Sequence, residues 1–170
     1  RITAEEADAI LVFVHDDVWI EDFFLAHRLL DALKTYDVVG VAGNRRRLQN
    51  QCAWAYVDDK FTRDEHANLS GLVAHGPTPL GKVTFFGETP AQCELLDGVF
   101  LAARRSVLRA ASVLFDPRFD FHFYDLDFCR TARLNGLRLG TWPISITHQS
   151  SGSAKNDRWR DLTRVIISTD

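Results

Sequence analysis

The sequence predicts an α/β fold built on a mostly parallel central sheet, and three observations predict it. Residues 9–14 (Ala-Ile-Leu-Val-Phe-Val) are an unbroken apolar run of strand length, the pattern of a strand covered on both faces. The polar cluster His15-Asp16-Asp17 ends the run abruptly, and open α/β sheets place their ligands beyond the C-terminal ends of such strands. A helical segment at 21–36 and a second apolar strand at 37–43 follow, which makes a strand–helix–strand unit with a right-handed crossover.

Each later element has its own signal. The 21–36 helix carries Phe23, Ala26, Leu30 and Leu33 near helical spacing, with Glu21 and Asp22 at its positive end. Residues 45–81 are the least regular stretch and read as a strand or two joined by long loops, with a Gly-Pro-Thr-Pro turn at 76–79. Arg45-Arg46-Arg47 there reads as a solvated loop or a phosphate contact. Residues 83–86 read as a short strand and 93–102 as another, interrupted by Asp97-Gly98. A short helix is expected at 104–111 and a longer one at 124–135, stopped by Asn135-Gly136. Residues 137–146 read as a strand bent at Pro143, and 157–168 as a closing helix.

Composition narrows the function classes. The 170 residues suit one domain spanning 1–170, and 46% hydrophobic with 25% charged residues is ordinary for a globular chain. A net charge of −3 argues against a nucleic-acid binder that relies on bulk charge. No apolar run reaches the roughly 18–20 residues that span a bilayer. Cys52, Cys93 and Cys129 are odd in number and widely spaced, so reduced, packed thiols are expected, as in a cytoplasmic compartment. The chain starts at Arg1 and has no methionine, and is expected to be part of a longer reading frame.

Four constellations can carry chemistry. Adjacent carboxylates at Asp16 and Asp17 are costly at the end of a buried strand unless neutralised; a divalent cation with a diphosphate would do this, and a helix cap is the alternative. Asp125 and Asp127, two apart on a helix, point in different directions, so one can face a cleft as a general base while the other caps or orients. His148 is either a packed imidazole or the third ligand of a metal held by carboxylates. Asp97-Gly98 fits a β-bulge or a carboxylate placed to hydrogen-bond a sugar hydroxyl. His122 precedes Tyr124 by two residues and is placed to line the same cleft. Trp54, Tyr56, Phe121, Phe123 and Trp142 read as core, with one of them available to stack on a sugar or base. No GxxxxGK[ST], GxSxG or HExxH pattern is present.

Taken in order, "ILVFVHDDVWIEDF", "LLDGVFLAARRSVL", "YDLDFCRTARLNGLRLG" and "ITHQSSGS" resemble the segments of family-2-like glycosyltransferases of the GT-A fold, over residues 9–153. The resemblance implies a Rossmann-like three-layer α/β/α sandwich and sugar transfer from a nucleotide-sugar donor to a glycan or other hydroxyl acceptor, metal-assisted and inverting. It implies Mn2+ or Mg2+ held by Asp17 and His148, and Asp125 as general base. It places Asp16, Asp97, Gly98, His122 and Asp127 among the substrate contacts. His15 stands where the family has the first Asp of its Asp-x-Asp motif, and Tyr124 where it has Glu. The family's preceding strand–helix–strand section, which grips the donor base, is not represented, so the chain is expected to be the later part of a larger domain. A place at the inner face of a membrane, within an assembly, is a further expectation. A GT-A-like module without catalysis, and a hydrolase using a metal at Asp16, Asp17 and His148, are the alternatives.

Overall fold

The computed structural model describes residues 8–49, 51–58, 60–119 and 122–150. The closing helix expected at 157–168 and the serine loop at 151–153 lie outside them, as does Phe121. The first strand, β1 (Ile10–Val14), lies where the apolar run predicts it. Its side chains alternate between two hydrophobic clusters: Leu11 and Phe13 pack against one, Ile10 and Val12 against the other. This period-2 division explains why the run is apolar throughout. It does not fix strand direction, and here the mostly parallel sheet is corrected. Among the described residues β1 pairs only with β9 (Phe100–Arg104), antiparallel, and two of the nine ladders are parallel.

A turn at Asp16–Asp17 leads into β2 (Val18–Ile20) and then α1 (Leu25–Thr35). The helix starts later than its sequence suggests because the acids before it are used elsewhere. Asp22 accepts from the Phe24 and Ser145 backbone amides and pairs with Arg28, while Glu21 accepts from the Thr147 hydroxyl. The inward face is therefore Leu25, Leu29 and Ala32, and the Phe23–Ala26–Leu30 stripe faces solvent, with Phe23 92% exposed.

Three apolar stretches that read as single strands are divided between two sheets. β3 (Val38–Gly40) and β4 (Ala42–Asn44) come from 37–43; β7 (Ala91–Cys93), β8 (Leu95–Leu96) and β9 come from the 93–102 region. Around Pro143, β10 (Leu139–Thr141) and β11 (Ile146–His148) separate. The irregular region supplies β5 (Leu69–His75), and β6 (Lys82–Gly87) pairs beside it. The five-stranded sheet runs β1-β9-β3-β10-β7 and the six-stranded one β2-β11-β5-β4-β8 with β6 on β5. Because β1 and β3 both run antiparallel to β9 between them, the strand–helix–strand unit does keep its two strands in one direction.

α2 (Arg105–Ala110) follows β9, and α3 (Tyr124–Leu134) buries Leu126, Phe128, Cys129 and Ala132 in the cluster opposite the one that takes Leu29. The five-stranded sheet thus has helices on both faces. α3 ends as its Asn-Gly signal predicts: Gly136 takes φ +78°, and Leu137 N–H donates to Ala132 O at 3.0 Å. The three cysteines are buried and free, as expected of packed thiols. No helix among the described residues is long and apolar enough to cross a membrane.

Candidate active site

The ends of β1, β8, β11 and the start of α3 converge on a cavity of about 1110 Å3. His15, Asp16, Asp17, Asp97, Gly98, His122, Tyr124, Asp125, His148 and Ser150 all open onto it. Of the residues given a catalytic, substrate or metal role in the sequence, Asp127 is the one that does not. It is buried on another side of α3, near Asp116 and Arg118, and burial raises its carboxyl above the ordinary value. The angular offset between positions two apart on a helix separates it from Asp125.

One end of the cavity collects three side chains of kinds that can ligate a metal ion. Ligand atoms of His15, Asp17 and His148 lie within 4.8 Å of one another. His148 Nε2 is 3.1 Å from Asp17 Oδ1 and 3.4 Å from His15 Nδ1. Ser150 N–H donates to Asp17 Oδ2 at 3.2 Å, and Gln149 N–H to the Asp17 carbonyl at 2.9 Å. Burial pushes the Asp17 carboxyl up, but the Ser150 hydrogen bonds and His148 outweigh it and hold it below the usual value. Burial, helped by the neighbouring His15 and His75, lowers the His148 pKa against the pull of Asp17, which favours the neutral imidazole that a cation needs. The capping alternative for Asp16-Asp17 fails because a strand, not a helix, follows them. Asp16 is exposed at the cavity mouth.

The other end holds two carboxylates. Asp125 Oδ2 accepts from Gly98 N–H at 3.3 Å and Oδ1 from Leu126 N–H at 2.9 Å. Burial, with the charge of Asp97 added, raises Asp125 to about 6. Asp97 Oδ1 accepts from Val99 N–H at 3.0 Å, the Trp54 indole also donates to its carboxylate, and burial raises it to about 6. A carboxylate poised near neutrality is suited to proton transfer. α3 begins after Phe123, a buried residue at φ +65°, and has no side-chain cap, so its first turn leaves amides for Asp125.

Tyr124 connects the two ends. Its Oη is 2.6 Å from His15 Nε2, and its ring covers Gly98. A Cβ on Gly98 would fall 2.0 Å from that oxygen, so the glycine is required by the tyrosine packed on it. Neither His15 nor Tyr124 was given a role of its own in the sequence; His15 was marked as part of the polar cluster that ends β1, and both stand where the motif pattern has an acid. Phe13, Tyr56, Phe61 and Phe115 supply an aromatic wall. Two of the three arginines are taken up structurally: Arg46 pairs with Asp64, and Arg47 reaches the Leu48 and Gln51 carbonyls, while Arg45 is exposed and reaches the Glu88 carbonyl at 3.4 Å.

No curated protein matches this sequence. The sequence model of the glycosyltransferase like family matches residues 2–159, a span that contains every strand, helix and site residue described above. The ordered convergence of four motif segments on one cavity and a match over nearly the whole chain lead to one assignment: the chain belongs to the glycosyltransferase like family.

Proposed function

We propose that the chain transfers a sugar from a nucleotide-sugar donor to the hydroxyl of a glycan or similar acceptor, with inversion, on a GT-A-type fold. The observation that carries this reading is the opening of Asp125 and of the His15–Asp17–His148 trio onto one cavity from different elements. Inverting transfer needs a base beside the acceptor hydroxyl and a stabiliser beside the leaving diphosphate, on opposite sides of the reacting carbon.

The donor set fits a divalent cation: one carboxylate held below its usual pKa and two imidazoles, one of them biased toward neutrality. His15, Asp17 and His148 would hold it, and its charge would offset the charge that develops on a departing nucleoside diphosphate. Asp125 would accept the acceptor's proton at a carboxylate oxygen. Burial, with the charge of Asp97 added, keeps Asp125 basic enough for this, and Asp97 stands beside it as a hydrogen-bond partner for an acceptor hydroxyl. Gly98 leaves room for Tyr124 and presents its N–H to Asp125. The aromatic wall gives a sugar or base a face to stack on. Asp16 and His122 complete the rim, whereas Asp127 lies off the cavity and takes no part in binding substrate.

The direct test is transfer from a panel of UDP- and GDP-sugars. Asp125→Asn is expected to abolish transfer while donor binding persists. Unimpaired turnover in that variant would reject the base assignment, and release of free sugar with no acceptor product from the wild type would favour the hydrolase reading.

A further inference from the structure

We propose that Tyr124 is a positioning residue that fixes the His15 ring as a cation ligand and ties the cation site to the helix start bearing Asp125. This rests on the functional reading above.

An imidazole offers two nitrogens on opposite edges, and a ligating histidine needs its second nitrogen engaged to hold tautomer and ring angle. His15 Nδ1 faces His148 Nε2 at 3.4 Å, inside the trio. Its Nε2 faces away from the trio and meets Tyr124 Oη at 2.6 Å. When Nδ1 ligates, Nε2 carries the proton and donates it to the phenol oxygen. The phenol can accept this bond, and it brings no second negative charge to a region that already holds Asp97 and Asp125.

The tyrosine is itself held. It is the first residue of α3, its ring lies on Gly98 with no space for a Cβ, and it packs 5.9 Å from the Phe115 ring. Gly98 N–H in turn donates to Asp125, the next residue along. The His15 ring, the Tyr124 phenol, Gly98 and the Asp125 carboxylate are thus consecutive contacts, and one end cannot rotate without disturbing the next.

The test is Mn2+ affinity of the full 170-residue chain without nucleotide, by electron paramagnetic resonance or calorimetry, on wild type, Tyr124→Phe, His15→Gln and the double variant. Tyr124→Phe is expected to weaken Mn2+ binding about 10–100-fold with near-ultraviolet circular dichroism unchanged. The double variant is expected to bind no more weakly than His15→Gln alone, since the phenol acts through that ring. Gly98→Ala, which displaces the phenol without removing any ligand, is expected to give a similar loss and serves if Tyr124→Phe does not fold. Full Mn2+ affinity in folded Tyr124→Phe, or losses that add in the double variant, overturns the positioning role alone. A wild type that binds no Mn2+ overturns the cation reading and this role together.

Discussion

Asp17 Oδ1 and His148 Nε2 sit 3.1 Å apart, brought together by β2 and β11, which pair antiparallel with Val18 opposite His148. The register places the residue preceding β2 beside the last residue of β11. Asp17→Ala and His148→Ala should therefore each abolish Mn2+-dependent binding of a nucleotide sugar, read by calorimetry. Two imidazoles in the set favour Mn2+, Co2+ or Zn2+ over Mg2+, which prefers oxygen. Titration with each ion should place Mg2+ last, and tighter binding of Mg2+ than of Mn2+ would show that the imidazoles do not ligate.

A pH profile separates the base from its neighbours. Asp125 must be ionised to accept a proton, and it is raised to about 6. kcat/KM should therefore fall as pH drops through about 6. Asp97→Asn removes the negative charge that contributes to this shift, so the acid limb should move to lower pH even as the maximum rate declines. An acid limb that stays in place in Asp97→Asn would assign it to another group.

The same burial has a consequence for stability. Asp125 has an ordinary value of 3.8 and a folded value of about 6, so between these the folded chain binds more protons than the unfolded one. Stability then falls as pH rises from about 4 to about 6 and remains reduced above. Asp125→Asn lifts that penalty. By differential scanning calorimetry it should melt a few degrees above wild type at pH 7.5, with the gap closing near pH 4. An inactive variant that is also more stable at neutral pH fits a site residue held at a cost; one that melts lower would make Asp125 a structural residue.

Much of the site was legible because its residues stand at element boundaries. His15-Asp16-Asp17 interrupts an apolar run, Asp97-Gly98 breaks a strand, Asp125 opens a helix, and His148 ends a strand; polarity at such points has few structural reasons. The helix stop at Gly136 was legible for the same reason. Strand direction was not. An apolar run such as Ile10–Val14 records that both faces are covered, and helices or a second sheet can cover them whichever way the neighbouring strand runs. Nor could short strands that pass from one sheet to another, as at Val41 and Pro143, be told from one longer strand. The inward face of α1 was misplaced because Glu21 and Asp22 resemble a first helical turn, while their hydrogen bonds go to distant residues such as Ser145 and Thr147. Tyr124 entered the site through a contact with His15, more than a hundred positions away.

The least regular part of the sequence contains the strongest polar anchor. The Asp64 side chain is fully buried and accepts from Asn44, Arg46, Asn68 and the Glu65 amide. Burial opposes its charge, but these partners outweigh burial and hold the carboxyl far below its ordinary value. Asn44 uses the same amide group to donate to Trp54 O at 2.9 Å, and the Trp54 indole donates to Asp97. The anchor is thus two side chains from the acids of the cavity. Asp64→Ala strands the buried Asn44 amide and the half-buried Arg46 and Asn68 donors and should cost about 3 kcal/mol, read by urea denaturation. The sign with pH follows from the lowered value: the contribution is complete above about 4 and is lost as pH falls below it. Wild type should therefore lose stability more steeply than Asp64→Asn on acidification below pH 4. Parallel slopes would mean that the carboxylate's charge is not what holds this region together. If Trp54 transmits the loss, Asp64→Asn should also shift the acid limb of the activity profile, because a loosened indole no longer stabilises ionised Asp97.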